Sequence, residues 1–116
     1  MSLLDTTQIA LESAMRGSMM RQQLLTNNLA NVDTPGYQRQ DVNFQAQLDS
    51  ALNAGQSPDQ VTFQPFTQQQ VSQVDGNGVN PEQEQANVAE NGMLYQELTQ
   101  IAAAREGILK SAMGVG

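Results

Sequence analysis

The fold is decided by one stretch of sequence, Asn28-Leu29-Ala30-Asn31-Val32-Asp33-Thr34-Pro35-Gly36-Tyr37. Apolar residues recur at helical spacing before this stretch and mostly do not after it. Pro35 cannot continue a helix, because its ring removes an N–H group and restricts the preceding residue to extended geometry. Gly36 supplies the backbone freedom that a tight turn needs, so Pro35-Gly36 is predicted to be the centre of a β-turn. The first helix is therefore predicted to end between Asn31 and Asp33.

One long amphipathic helix is predicted at each end of the chain. The first runs from about Asp5 to Asn31, and the second runs from Pro81 toward Met113 with Asn80 as its N-cap. Two such helices, apolar on more than one side, are expected to pack on each other and on neighbouring molecules. The side chains predicted to make helix contacts in an assembly are Leu11, Met15, Leu25, Leu29, Leu94, Tyr95, Leu98, Ile101, Ile108 and Leu109.

The predicted fold is mainly α. An antiparallel, coiled-coil-like hairpin of the two long helices carries a short, irregular and partly β middle segment. The chain is accordingly divided into an N-terminal helix (1–33), a turn- and loop-rich middle (34–80) and a C-terminal helix (81–116).

The middle segment is predicted to contain short elements. Residues 38–44 suit an extended segment, and residues 44–53 suit a short helix with its apolar side chains on one side. Alternating apolar and polar residues at 61–63 and 71–74 predict two short strands that could pair as a hairpin.

The composition excludes several kinds of active site. The chain has 116 residues with no Cys and no His, which removes thiol nucleophiles, imidazole bases and the usual nitrogen and sulfur metal ligands. Its net charge of −7 argues against nucleic acid, because binding to phosphates depends on Lys and Arg. No apolar run is long enough to span a membrane, and no cleavable signal peptide is recognised at the start. No cofactor, metal or catalytic residue is therefore predicted.

The net negative charge of the chain comes from its middle. Residues 41–90 hold seven acidic side chains and no basic one, whereas residues 1–40 and 91–116 are each neutral. Neutral ends can pack against copies or homologues of themselves without repulsion, while an acidic middle favours solubility.

Residues 28–37 resemble the Asn-rich signature of the flagellar axial proteins, which form the rod, hook and related parts of the bacterial flagellum. The residues that carry this resemblance are Asn28, Asn31, Asp33, Thr34, Pro35, Gly36 and Tyr37. Asp41 and Phe44 occupy two further family positions downstream. A second resemblance, to the C-terminal motif of FlgB-type rod proteins, is carried by Asp75, Gly76, Asn77, Gly78 and Val79, followed by Glu84, Asn91, Tyr95 and Gln96.

The resemblance implies a structural subunit of the proximal rod that assembles through its terminal helices and transmits torque from the motor ring to the distal rod and hook. It implies as partners other copies of the chain, other rod proteins, the FliE adapter and the MS-ring. The implied location is the periplasmic part of the basal body, reached by export without a cleaved signal. Phe44 and Leu48 fit a short element that the export gate reads; the alternative for both residues is core packing.

Three other functions remain open from the sequence: a FlgC-type rod subunit, a soluble helical adapter or secretion chaperone, and an enzyme built on carboxylates. Gly17 also leaves two alternatives, a tolerated helix glycine or a close crossing of two helices. Because two helices alone bury little apolar surface, we expect the terminal helices to become fully ordered only on docking with neighbouring subunits.

Overall fold

The computed structural model describes residues 3–68 and 79–114. Two long helices dominate it, and the shorter elements lie between them in the sequence. The molecule is elongated, with principal extents of 61 × 30 × 14 Å. The elements in chain order are α1 (Leu3–Ala30), β1 (Arg39–Asp41), α2 (Phe44–Asn53), a 3₁₀ turn (Pro58–Gln60), β2 (Phe66–Gln68) and α3 (Pro81–Ala112).

Helices α1 and α3 run antiparallel along one another. Gln8 donates a hydrogen bond to the carbonyl of Ala102, while Ser18, ten residues further along α1, bonds Asn91. Residue numbers rise along α1 as they fall along α3, which confirms the predicted hairpin. Asn80 caps α3 by accepting hydrogen bonds from the first-turn N–H groups, and Pro81 occupies the first helical position, as predicted.

The chain leaves α1 through the predicted β-turn. The N–H of Tyr37 donates to the carbonyl of Thr34 at 3.2 Å, closing a four-residue turn around Pro35 and Gly36. Gly36 has a φ of 75°, as the third position of a type II turn requires. The turn directs the chain into β1 and back alongside α1.

The apolar core lies where the middle segment folds onto α1. Phe44 and Leu48 of α2 pack with Val42, which directly follows β1, and with apolar residues of the loop after the 3₁₀ turn. The rings of Phe44 and Phe63 meet edge to face at 6.2 Å. The buried members of this cluster are Val42, Phe44, Leu48, Val61 and Phe63. Helix α2 therefore has the bounds that its sequence predicts, and its apolar side faces the core.

One strand prediction is wrong. Residues 61–63 do not form a strand; Val61 and Phe63 instead insert their side chains into the core from irregular backbone. The strand that pairs with β1 is β2, in antiparallel register with Gln40 opposite Thr67. Alternation of apolar and polar residues indicated which side chains are buried but not which backbone pairs. The companion strand predicted at 71–74 lies outside the described residues.

None of the helices in the described part of the chain combines the length and the apolarity needed to cross a membrane.

Candidate functional site at the junction of the two helices

The side chain of Asn28 joins α1 to β1. It is fully buried, and its amide nitrogen donates to the carbonyl of Gln40 at 2.8 Å while its amide oxygen accepts from the N–H of Gln40 at 2.9 Å. The hydroxyl of Tyr37 also donates to this oxygen, at 3.4 Å. Asn28 thus satisfies both backbone groups of one strand residue, as a neighbouring strand would.

An ion pair joins β1 to α3 at the same place. Arg39 Nε lies 2.5 Å from Glu84 Oε1, and both side chains are almost completely buried. Asp41 lies 3.3 Å from the Arg39 guanidinium and 2.9 Å from Nε of Arg21 on α1. We call Asn28, Arg39, Asp41 and Glu84 the clasp, because together they join α1, β1 and α3.

Burial and charge act against each other in the clasp. Burial alone would lower the pKa of Arg39, but its contacts with Glu84 and Asp41 hold that pKa above its ordinary value. Burial would likewise raise the pKa of Asp41, but hydrogen bonds from Arg21 and the Val42 N–H, with Arg39 nearby, lower it. Both side chains are therefore charged at neutral pH. The two carboxylates of the clasp are balanced by Arg39 and by Arg21 of α1, and this balance suits holding segments together.

The other signature residues form the turn itself. Thr34 Oγ1 donates to the side chain of Asn31 at 3.1 Å, and the Thr34 N–H donates to the Asn31 carbonyl at 3.0 Å. Asp33, Pro35 and Gly36 are exposed. The structure thus places Asn28, Tyr37 and Asp41 of the predicted motif at the junction of α1 and β1. The other five residues lie at the surface or in local turn contacts: Asn31, Asp33, Thr34, Pro35 and Gly36.

The predicted C-terminal motif is covered only in part. Asp75, Gly76 and Asn77 lie outside the described residues. Val79, Glu84 and Asn91 are described, and all three are buried.

The two residues predicted as a possible export element lie in the core. Phe44 is 3% exposed and Leu48 is 9% exposed. A Cβ on Gly17 would come within 2.6 Å of Phe44, so the absence of a side chain at Gly17 lets Phe44 pack directly on α1. Gly17 is therefore a point of close packing, although the partner is α2 and not another long helix.

A second set of polar contacts joins the helices midway along the hairpin. Asn91 donates to the carbonyl of Ser18 at 2.9 Å and to the side chain of Gln22 at 2.8 Å, and Ser18 donates to Asn91 Oδ1. Ser18 and Asn91 are fully buried. The centre of the helix interface is therefore polar, where the sequence predicted an apolar stripe.

Several functional residues escaped the sequence analysis. Arg21, Arg39 and Ser18 have no role in the sequence-based predictions, and Glu84 and Asn91 appear there only as positions of the C-terminal resemblance. One signal was available, because Glu84 and Asn91 are seven residues apart and so lie on one helix face. Polar residues at this spacing are ordinarily assigned to the solvent-exposed face of a helix, so the burial of Glu84 and Asn91 was not predicted.

The predicted assembly residues divide into three groups by exposure. Leu25 is fully buried within the chain and has no surface left for a neighbour. By contrast, Ile101 is 48% exposed and Ile108 is 67% exposed on the outer face of α3. We call Ile101 and Ile108 the open stripe. The half-buried members are Leu11, Met15, Leu29, Leu94, Tyr95, Leu98 and Leu109.

The sequence is similar to those of known flagellar proteins. The sequence model of the family described as "Flagella basal body rod protein" matches residues 9–38, which include most of α1 and the turn. Flagellar basal body rod protein FlgB of Bacillus subtilis strain 168 is 31% identical over 128 residues, covering 100% of this chain and 99% of the relative.

Two enterobacterial relatives give similar values. FlgB of Escherichia coli K12 is 29% identical, with 97% of this chain and 96% of the relative covered. FlgB of Yersinia enterocolitica is 29% identical, with 84% and 87% covered. The full-length match to the Bacillus protein includes the turn, the middle segment and both helices. The chain therefore belongs to the FlgB family of flagellar basal body rod proteins.

Proposed function

We propose that this rod subunit assembles in the proximal rod by burying the open stripe of α3 against helices of neighbouring subunits, and that it transmits torque through those contacts. The observation that carries the proposal is the exposure of Ile101 and Ile108 on one face of a 32-residue helix. The two residues are seven positions apart, so they point in nearly the same direction.

Burying these side chains would favour association. A fully buried isoleucine contributes about 1.5–3 kcal/mol relative to an exposed one, so a pair repeated at every subunit contact supplies a substantial driving force. The surrounding surface carries little net charge, since Arg105 and Lys110 balance Glu97 and Glu106. Identical or related subunits can therefore approach this part of α3 without like-charge repulsion.

The shape of the subunit suits mechanical coupling. Helix α3 spans roughly 48 Å at 1.5 Å per residue, and the clasp ties its start to both α1 and β1. Force applied to one helix is passed to the other through buried, charge-matched contacts. We propose that residues 1–33 and 81–116 form the part of the subunit that packs in the rod core, and that residues 34–80 lie outside it.

Partners and location follow from the family resemblance. We propose contacts with other copies of this chain, other rod proteins, the FliE adapter and the MS-ring, in the periplasmic part of the basal body. We also propose export without a cleaved signal. Phe44 and Leu48 are buried in the folded chain, so an export gate could read them only in an unfolded one.

We propose no enzymatic activity. Each carboxylate of the clasp is paired with an arginine, which leaves neither free to act as a general base.

The assembly proposal is tested by placing a charge on the open stripe. Ile108→Glu should leave the circular dichroism of the purified monomer unchanged, because Ile108 is 67% exposed. The same variant should fail to restore rods and motility in a strain that lacks the gene. The control is Ala103→Glu, which adds the same charge to an exposed position on the other side of α3. Normal basal bodies containing Ile108→Glu would refute the proposal.

A further inference from the structure

Glu84 occupies an unusual place in α3. It is the fourth residue of the helix, and Val79 immediately precedes the Asn80 cap. These two positions lie on the same side of a helix start and are commonly both apolar, where they fix the direction of the entering chain. Here both are 1% exposed, but one of them is a carboxylate.

The Glu84 carboxylate contacts two other segments. One oxygen accepts from Arg39 Nε on β1 at 2.5 Å, and the other accepts from Asn28 Nδ2 on α1 at 3.4 Å. Arg39 is also held by Asp41, which is held by Arg21 of α1. The position of α3 along α1 is thus linked to the position of β1 through one side chain.

We propose that Glu84 is a positioning residue that sets the register of α3 on α1 and couples this register to the ordering of β1. Sliding α3 by one turn would move the carboxylate by about 5.4 Å and leave buried charges without partners. Asn91 also holds α3 on α1, through Ser18 and Gln22, but these contacts reach α1 alone. Glu84 differs because its carboxylate joins α3 to both α1 and β1. A single buried polar residue fixes register in coiled coils for the same reason.

This inference does not depend on the proposed mode of assembly, because it concerns the isolated subunit. A failure of the rod-assembly experiment would leave it standing, and its own failure would leave the open stripe unaffected.

The first test is hydrogen exchange in Glu84→Gln, which removes the charge but keeps the shape. The Gln40 N–H, which donates to Asn28, should exchange about tenfold to a hundredfold faster than in the parent chain, since a buried partner has been lost. Glu82→Gln is the matched control, because Glu82 lies in the same first turn but is exposed. Equal exchange at Gln40 in the two variants would overturn the proposal.

The second test measures register directly. The chain has no cysteine, so a Gln8→Cys/Ala102→Cys pair reports the native register, where these residues are in contact at the far end of the hairpin. Gln8→Cys/Leu98→Cys and Gln8→Cys/Arg105→Cys report slides of about one turn in either direction. When no other residue is changed, the variant with the native pair should form its disulfide in higher yield than either variant with a slipped pair.

The decisive background for this measurement is Arg39→Met/Glu84→Leu. Replacing both members of a buried ion pair with apolar residues commonly preserves stability, so a purely stabilising role predicts no change in register. A positioning role predicts that the native disulfide loses yield and that a slipped pair appears. Exclusive formation of the native disulfide would overturn the proposal. If this double variant does not fold, the Glu84→Gln exchange result decides.

Discussion

The two ends of the helical hairpin are built differently. At the turn end, the chain returns through β1 and α2 and buries the clasp and the apolar core against α1. At the open end, where α3 continues beyond Ala102 beside the start of α1, Ile108 and Met113 are 67% and 70% exposed. The turn end is covered by other segments of the same chain, whereas the open end leaves apolar side chains exposed.

Polar groups show the same contrast. The clasp side chains have partners, whereas Gln8 Oε1 and Arg105 Nε, both toward the open end, are buried without a hydrogen-bond partner among the described residues. A buried polar atom without a partner costs free energy that a neighbouring molecule can recover. We therefore expect the open end to be the part of the hairpin whose structure depends most on assembly.

The effect expected over the longest stretch of the chain is a difference in local stability along α3 in the isolated monomer. Amides of residues 84–95 should be protected at least about a hundredfold more than amides of residues 106–112, because helix ends with few buried contacts open locally. Hydrogen exchange of the dilute monomer measures this difference. Protection that is uniform along α3 would contradict the contrast between the ends, and would also contradict the expectation that assembly orders the termini.

The next effect compares apolar side chains at the two ends. Phe44→Ala should lower the free energy of unfolding by about 3–5 kcal/mol, because it opens a cavity between α2 and α1. Ile101→Ala should lower it by about 1 kcal/mol or less, because the side chain is already 48% exposed. Urea denaturation of both variants gives the comparison. Equal losses would mean that the monomer is not organised around its turn end.

Alanine substitutions at Gly17 of α1 and at Gly107 of α3 should change stability in opposite directions. A Cβ at Gly17 would lie 2.6 Å from Phe44, so Gly17→Ala should destabilise the chain by about 1–3 kcal/mol through overpacking. Gly107 has nothing within 4 Å of such a Cβ, so Gly107→Ala should stabilise the monomer by about 0.5–1 kcal/mol. Thermal unfolding of the two variants tests the signs. A stabilising effect of Gly17→Ala would contradict the close packing of α2 on α1.

The sequence was sufficient for features that depend on local chemistry. Pro35-Gly36 specified the turn, and Asn80-Pro81 specified the start of α3. The bounds of α2 also followed from its own apolar spacing. Each of these depends on residues only a few positions apart, so no knowledge of distant partners was needed.

Features that depend on distant residues could not be predicted in the same way. Arg39 and Glu84 are 45 positions apart, and nothing local distinguishes a buried pair from two solvated charges. The strand at Phe66–Gln68 was missed because its side chains are exposed and it is defined only by its pairing with β1. Val61 and Phe63 were misassigned because burial on irregular backbone gives the same alternation as a strand.

The smallest effect is on the stability of the chain at low pH. It distinguishes the clasp from the exposed ion pair between Lys110 and Glu106. The folded pKa of Asp41 is lowered below its ordinary value of 3.8, because hydrogen bonds from Arg21, the Val42 N–H and Arg39 outweigh the effect of burial. Its contribution to stability is therefore complete above the unfolded pKa and is lost as pH falls through the folded pKa.

Asp41→Asn should remove this part of the acid dependence and flatten the stability curve below about pH 4, measured by urea denaturation at successive pH values. Glu106→Gln should leave the curve unchanged, because Glu106 and Lys110 are both more than half exposed and are separated by 4.0 Å. An identical curve for Asp41→Asn and the parent chain would mean that the clasp carboxylate is no better held than a surface one. Since Asp41 is paired both with Arg21 of α1 and with Arg39 of its own strand, that outcome would also weaken the case that the turn end is fixed by charge pairing.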